Sequence, residues 1–182
     1  MDAPLHEQRI RQGLPAALHG PDVHPARDRV ALTNVRAILL DIEGTTTPIE
    51  FVHQILFPYA RARVQSFLEQ HATDPDVQAD VARLHEEYAA ESPREAGLPP
   101  WSAVDYVHWL MDRDRKSTGL KSLQGKIWEA GYRAGELRGR AEVYPDVAPA
   151  LARWRAQGRD IAIFSSGSVP AQRNLFANTT AG

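Results

Sequence analysis

"AILLDIEGTTT", Ala37–Thr47, begins as hydrocarbon and ends in two carboxylates, a glycine and three hydroxyls. Val35, Ala37, Ile38, Leu39 and Leu40 form a short apolar run without alternation, the pattern of a strand buried on both faces, which implies a parallel sheet. The pattern recurs in "DIAIFSSGS", Asp160–Ser168, where Ile161–Phe164 run straight into Ser165 and Ser166. In an open α/β sheet, ligands bind just beyond the carboxyl ends of the strands, so parallel pairing brings Asp41 and Ser165 together. The chain between them is far longer than one crossover helix needs, so the intervening helices form an insertion after the first strand. The expected fold class is α/β, a parallel Rossmann-like core with an inserted helical cap.

Outward from the first strand, "FVHQILFPYARARVQSFLEQHA" sets Phe51, Ile55, Tyr59, Val64, Phe67 and Leu68 at helical spacing, with Pro58 marking a kink or break. "DPDVQADVARLHEEYAAE" opens with Asp74 as N-cap and Pro75 at the first helical position, then places Val77, Val81, Leu84 and Tyr88 on one face. After the proline-rich "SPREAGLPP", Ser102 and Asp105 resemble a capping box ahead of Val107, Leu110 and Met111. "STGLKSLQGKIWEAGYRAGEL" continues as a helix through Leu120, Leu123 and Ile127; Gly125, Gly131 and Gly135 within it each cost about 1 kcal/mol relative to alanine, and close approach of a helix or ligand is a reason for them. "DVAPALARWRAQG" is a helix stopped by Gly158. The domains follow: 1–34 an extension, 35–48 the first strand and catalytic loop, 49–140 the helical cap, 141–182 a second helix-strand unit of the core.

Composition sets the classes. At 182 residues and 43% hydrophobic content, the chain has enough apolar side chain for a core, and a net charge of −2 with mixed signs offers no basic face to nucleic acid. Zero cysteines leave no disulfide framework and fit a reducing compartment, the cytoplasm. No apolar run reaches the roughly 18 residues of a membrane span, and Met1–Arg29 lacks the apolar stretch of a secretory signal. The first 34 residues carry Pro, Gly, His19 and His24 without periodicity and read as a linker rather than a metal site. His53, His85 and His108 sit in helical stretches as packing or surface groups; Trp109 and Trp128 are the tryptophans best placed to line the cap.

The chemistry follows from the residues at the two strand ends. Asp41 can attack phosphorus and form an aspartyl phosphate, dividing one hard hydrolysis into two easier steps. Glu43 can protonate the leaving oxygen and then activate water. Two carboxylates facing a phosphate repel it, so a hard cation is required, and Mg²⁺ suits because it binds through one or two carboxylates plus phosphate. Gly44 allows a close turn around the phosphate, while Thr45, Ser165 and nearby backbone N–H groups can bond its oxygens. Each piece alone has a plainer use: an aspartate after a strand caps a loop or helix, and Ser–Gly clusters are ordinary turn chemistry.

"AILLDIEGTTTPI" with "FVHQILFPYA", then "DRKSTGLKSLQGKIWEAGYRAGEL", and finally "IAIFSSGSVPAQRNLF" resemble the enolase-phosphatase (acireductone synthase) family of methionine salvage, within the haloacid dehalogenase superfamily. The resemblance covers Val35 to Gly182, and Glu43 stands where that superfamily's first motif usually has aspartate. It implies a magnesium-dependent enzyme that enolises 2,3-diketo-5-methylthiopentyl-1-phosphate and removes phosphate to give an acireductone. It implies metal-site roles for Asp41 and Glu43, the latter through its side chain or its backbone carbonyl, and substrate binding by Ser165 and Ser166. The family's core continues with more strands, a phosphate-binding lysine and a further metal-binding aspartate, and no motif here matches these. Lys116, Lys121 and Lys126 lie in the cap segment and match no such motif. The resemblance therefore implies an incomplete core, with exposed strand edges, weak magnesium binding and little turnover for the 182-residue chain, and a monomer for the complete form. A related capped phosphatase for another small phosphate ester, and a non-catalytic remnant that binds a partner, are the competing readings.

Overall fold

The computed structural model describes residues 34–91 and 95–179. The reading of the first 34 residues as a linker, with His19 and His24, falls on positions that, Asn34 apart, lie outside the described residues. Two strands, β1 (Ala37–Leu40) and β2 (Asp160–Ile163), pair in parallel, with Ala37 opposite Asp160 and Leu40 opposite Ile163. The pairing direction is the expected one, with both strands a little shorter or shifted relative to the apolar runs: β1 starts at Ala37 rather than Val35, and Phe164 follows β2 while still donating its N–H to the Leu40 carbonyl at 2.8 Å.

Burial on both faces does not hold for this pair. Successive residues alternate between exposed and half-buried, and Leu39 and Phe164 are 64% and 74% exposed. The reason is geometric: a side chain in a strand is covered only if something packs on its face, and here the two strands form the whole of the described sheet.

Between the strands the chain is helical: α1 (Ile49–Phe51), a π-helical turn (Val52–Leu56), α2 (Phe57–Gln70), α3 (Pro75–Ala90), α4 (Ala103–Asp112) and α5 (Thr118–Arg133), followed by α6 (Val147–Ala156) before β2 and α7 (Val169–Ala177) after it. The proline break takes a specific form. Pro58 has no N–H and its ring would press on the carbonyl one turn back; the widened turn before it, closed by the Phe57 N–H to the Val52 carbonyl, lets the helix continue through α2. Asp74 caps α3 by accepting from the N–H groups of Asp76 and Val77 at 2.9 and 3.4 Å, and Ser102 caps α4 by accepting from Asp105 N–H at 3.3 Å. Ser117 does the same for α5, accepting from Leu120 N–H at 2.9 Å. The short helix α7 carried no periodicity strong enough to announce it; Ser168 caps it, with Pro170 in its first turn.

The core lies among the helices. Val64, Leu84, Tyr106, Val107, Leu123, Ile127 and Leu137 are essentially sealed from solvent, and α5 packs against both α2 and α3. Two glycines of α5 explain this closeness. A Cβ on Gly131 would fall 2.4 Å from the Tyr59 hydroxyl, and one on Gly119 would fall 2.8 Å from Leu84 Cγ. Gly125 has open space where a Cβ would go, and Gly135 takes a φ of +78° in the turn after the helix. Among the described residues, no helix is long and apolar enough to cross a membrane.

The tyrosines of this core give it an alkaline limit. Burial raises the pKa of Tyr59, Tyr106 and Tyr132 above the ordinary 10.0, Tyr132 to about 12; the hydrogen bond Tyr59 donates to Glu136 adds to the effect at Tyr59, and the Glu91 charge adds to it at Tyr106. The unfolded chain releases these protons near pH 10 and the folded chain holds them longer, so stability is intact below pH 10 and falls as pH rises toward 12. Melting followed between pH 9 and 12 is expected to show this steep alkaline loss, with late phenol ionisation in the ultraviolet spectrum; a flat profile would contradict it.

Candidate active site

The sequence after β1 folds onto itself. The carbonyl of Ile42 accepts from the N–H groups of Thr45, Thr46 and Thr47 at 3.2, 2.9 and 3.1 Å, and from the hydroxyls of Thr46 and Thr47 at 3.2 and 3.3 Å. Gly44, at φ +73°, makes the turn possible and donates its N–H to the Thr47 carbonyl at 2.8 Å. Ile42, Thr46 and Thr47 are buried, whereas Gly44 and Thr45 are exposed. The three hydroxyls thus divide: two tie the loop and one is left for a ligand, a distinction the sequence did not carry.

Asp41 sits exposed at the carboxyl end of β1, its Oδ1 accepting from Ile42 N–H at 2.7 Å. That bond holds one carboxylate oxygen and leaves Oδ2 outside it. Across the sheet, Ser165 Oγ accepts from Gly167 N–H at 3.1 Å, which leaves the hydroxyl proton available to donate. Gln172 Nε2 donates to the Gly167 carbonyl at 2.8 Å and steadies the same loop. The parallel register therefore brings Asp41 and Ser165 to one end of the sheet, as the two strand-end patterns required.

Beside them opens a cleft of about 1130 Å³. Glu43, Ser165, Ser166 and Gly167 form its polar margin; Leu56, Phe57, Trp128 and Leu175 form an apolar wall. Phe57 stacks on Trp128 with ring centres 6.3 Å apart, and Trp128 Nε1–H donates to the Leu56 carbonyl at 2.8 Å, so the π-helical turn and α5 are pinned together at this wall. Trp128, one of the two tryptophans expected to line the cap, lines this cleft; Trp109, the other, stacks on Tyr106 at 5.7 Å within the helical core. His53, read as a packing or surface group, stands edge-on to Phe57 at 5.6 Å and lines the cleft. Asp41, Gly44 and Thr45 are not part of the cleft lining and stand outside its margin.

One residue that matched no motif is brought to the site. Lys121, on α5, donates from Nζ to the Ser166 carbonyl and lines the cleft. Only tertiary structure could show this, because the lysine and the serine loop meet through the packing of α5 beside α7. For a metal, Asp41 and Glu43 are the carboxylates at hand, and no group of three or more His, Asp or Glu side chains assembles among the described residues.

Comparison with known proteins places the chain by similarity. Residues 35–182 match the haloacid dehalogenase-like hydrolase family. The chain is 56% identical over 155 residues to the Enolase-phosphatase E1 of Synechococcus elongatus, covering 82% of this chain and 63% of that protein. It is 53% identical over 148 residues to the Enolase-phosphatase E1 of Gluconacetobacter diazotrophicus, covering 81% and 58%. The chain thus spans less than two thirds of the length of these relatives. The crystal structure of the UTR4 protein of Saccharomyces cerevisiae superposes with a TM-score of 0.59 at 33% identity, over 80% of this chain and 58% of that one.

Proposed function

The chain belongs to the haloacid dehalogenase-like hydrolase family, and from that membership we propose that it serves the enolase-phosphatase reaction of methionine salvage. The substrate of this reading is 2,3-diketo-5-methylthiopentyl-1-phosphate, enolised and then dephosphorylated to an acireductone in a cytoplasmic, monomeric enzyme. The helices from Ile49 onward are its cap, and the two-stranded sheet with α6 and α7 belongs to its core. The observation that carries the reading is the meeting of Asp41 and Ser165 at one end of a parallel strand pair, beside a cleft with a polar margin and an apolar wall. Relatives at 53–56% identity that bear the enolase-phosphatase name support the substrate assignment.

In this reading Asp41 Oδ2 attacks phosphorus while the N–H of Ile42 holds the other carboxylate oxygen. The ester P–O bond breaks, and Glu43, at the cleft margin, delivers a proton to the departing oxygen. Water then attacks the aspartyl phosphate, its proton passing to Glu43, and inorganic phosphate leaves with Asp41 restored. Ser165, Ser166, Gly44 and Thr45 bond the phosphate oxygens, and Lys121 faces them with a positive charge. Asp41 through its carboxylate and Glu43 through its backbone carbonyl would hold Mg²⁺, whose chemistry is to neutralise the phosphate beside the carboxylates. They fit it: both are hard oxygen donors, and Asp41 is exposed with one carboxylate oxygen outside the Ile42 bond.

The test is magnesium-dependent phosphate release from the diketone phosphate. It is made in a chimera joining this chain to the matching C-terminal segment of the Synechococcus elongatus relative. Absence of release from a folded chimera would sink the reading. In the same chimera, Ser165→Ala is expected to lower turnover by about tenfold rather than abolish it, since it removes one hydrogen bond and leaves the charges in place. A loss as complete as that of a nucleophile variant would give Ser165 a larger part.

A further inference from the structure

The hydroxyls of the core tyrosines are paired with one exception. Tyr59 donates to Glu136 at 3.1 Å, Tyr88 to the Pro99 carbonyl at 2.8 Å and Tyr106 to Glu91 at 3.2 Å. The Tyr132 hydroxyl is buried and has no partner among the described residues. Tyr132 is 6% exposed and lines the cleft, near the C-terminal end of α5. The only other buried polar side-chain atom without a partner among the described residues, Trp109 Nε1, belongs to a residue that does not line the cleft and lies under the guanidinium groups of Arg113 and Arg115.

Tyr132 does not stand alone on its helix face. Stepping back by four residues reaches Trp128 and then Gln124, both cleft-lining; Gln124 is 7% exposed, and no hydrogen bond joins its side-chain amide to another described residue. A well-packed helix face seldom keeps a polar side-chain atom buried and unpaired, as the Tyr132 hydroxyl is, because such a group costs stability. The cost is understandable where a ligand supplies the partner. Burial also holds the phenol neutral, with its pKa pushed up to about 12, so it remains an O–H donor throughout the physiological range.

We propose that Tyr132 is a specificity-determining residue of the cleft, donating its hydroxyl proton to a carbonyl oxygen of the substrate, with Gln124 as the neighbouring polar contact. The inference rests on the enolase-phosphatase reading and deepens it. Apart from its phosphate, the diketone phosphate carries strong acceptors only at its ketone oxygens, and the apolar wall of Phe57, Leu56 and Trp128 suits the rest of its chain. A site built to bond a carbonyl discriminates against an analogue without one, since the buried donor is then left unpaired.

The experiment compares wild type with Tyr132→Phe in the chimera, using the diketone phosphate and n-pentyl phosphate as paired substrates, and follows thermal melting of both proteins without ligand. Tyr132→Phe is expected to raise KM for the diketone phosphate by about 2- to 10-fold while leaving n-pentyl phosphate unaffected. It is also expected to raise the melting temperature by roughly 2–4 °C, because an unpaired buried hydroxyl is removed. Gln124→Leu, which removes the neighbouring polar contact in the cleft, should shift the same KM in the same direction. Unchanged KM for the diketone phosphate in Tyr132→Phe, or equal loss on both substrates, overturns the proposal, as does a lower melting temperature, which would show the hydroxyl held by water in the free protein. A wild-type chimera that turns over n-pentyl phosphate but not the diketone phosphate instead sinks the reading of the reaction, and this inference with it.

Discussion

Replacing Asp41 by asparagine in the chimera is expected to reduce phosphate release by ~10³-fold or more, with helical content by circular dichroism unchanged. The substitution keeps the volume and keeps an oxygen to accept from Ile42 N–H, the bond that now stands at 2.7 Å, so the loop retains its form. What it removes is the anionic oxygen proposed to attack phosphorus. Asp41 is exposed and its loop is tied through Ile42, Thr46 and Thr47 instead, so a structural role predicts little effect on either measurement. Retained turnover would assign the aspartate to the loop and leave the reaction without its nucleophile.

Gly131→Ala is expected to destabilise the fold even though alanine is the better helix former. The added carbon would stand 2.4 Å from the Tyr59 hydroxyl and 2.6 Å from its Cζ. The ring cannot readily give way: its hydroxyl donates to Glu136 at 3.1 Å and the Arg63 guanidinium lies 3.8 Å from its centre. Overpacking of this kind costs ~1–3 kcal/mol, against about 1 kcal/mol returned by helix propensity. The net loss of up to about 2 kcal/mol corresponds to a melting temperature lower by up to roughly 8 °C. Gly125→Ala in the same helix meets open space and should stabilise by up to about 1 kcal/mol. Equal melting temperatures for the two variants would show that α2 and α5 are not held as closely as the structure has them.

Features that depend on neighbours in sequence were legible. The caps at Asp74 and Ser102 and the stop at Gly158 are local hydrogen-bonding or backbone requirements, and each stands where the residue types put it. The parallel pairing followed from two apolar runs ending in polar residues, a pattern with one sensible arrangement. Features set by contacts across the chain were not legible. Leu39 and Phe164 have strand-core composition, yet their exposure depends on what lies over the sheet. Pro58 signalled a break, but the π-helical turn that absorbs it also depends on Trp128 bonding the Leu56 carbonyl. Lys121 matched no motif, and nothing in the sequence singled out Tyr132. Their interest comes from where α5 sets them down, against the Ser166 loop and in the cleft wall.

The knot around the Ile42 carbonyl bears on the order in which the molecule assembles. Its five donors all come from the next few residues, so closing it confines only a short length of chain, and the entropy lost is small compared with bringing β2 across to β1. The helices arise between those two events, and Tyr144 N–H then reaches the Thr46 carbonyl at 3.0 Å from the far side of them. The turn after β1 can thus acquire its shape before the sheet exists to carry it. Refolding followed by pulsed hydrogen exchange should find the amides of Thr46 and Thr47 protected ahead of those of Ile161 and Ile163, leaving strand pairing as the late, slow event.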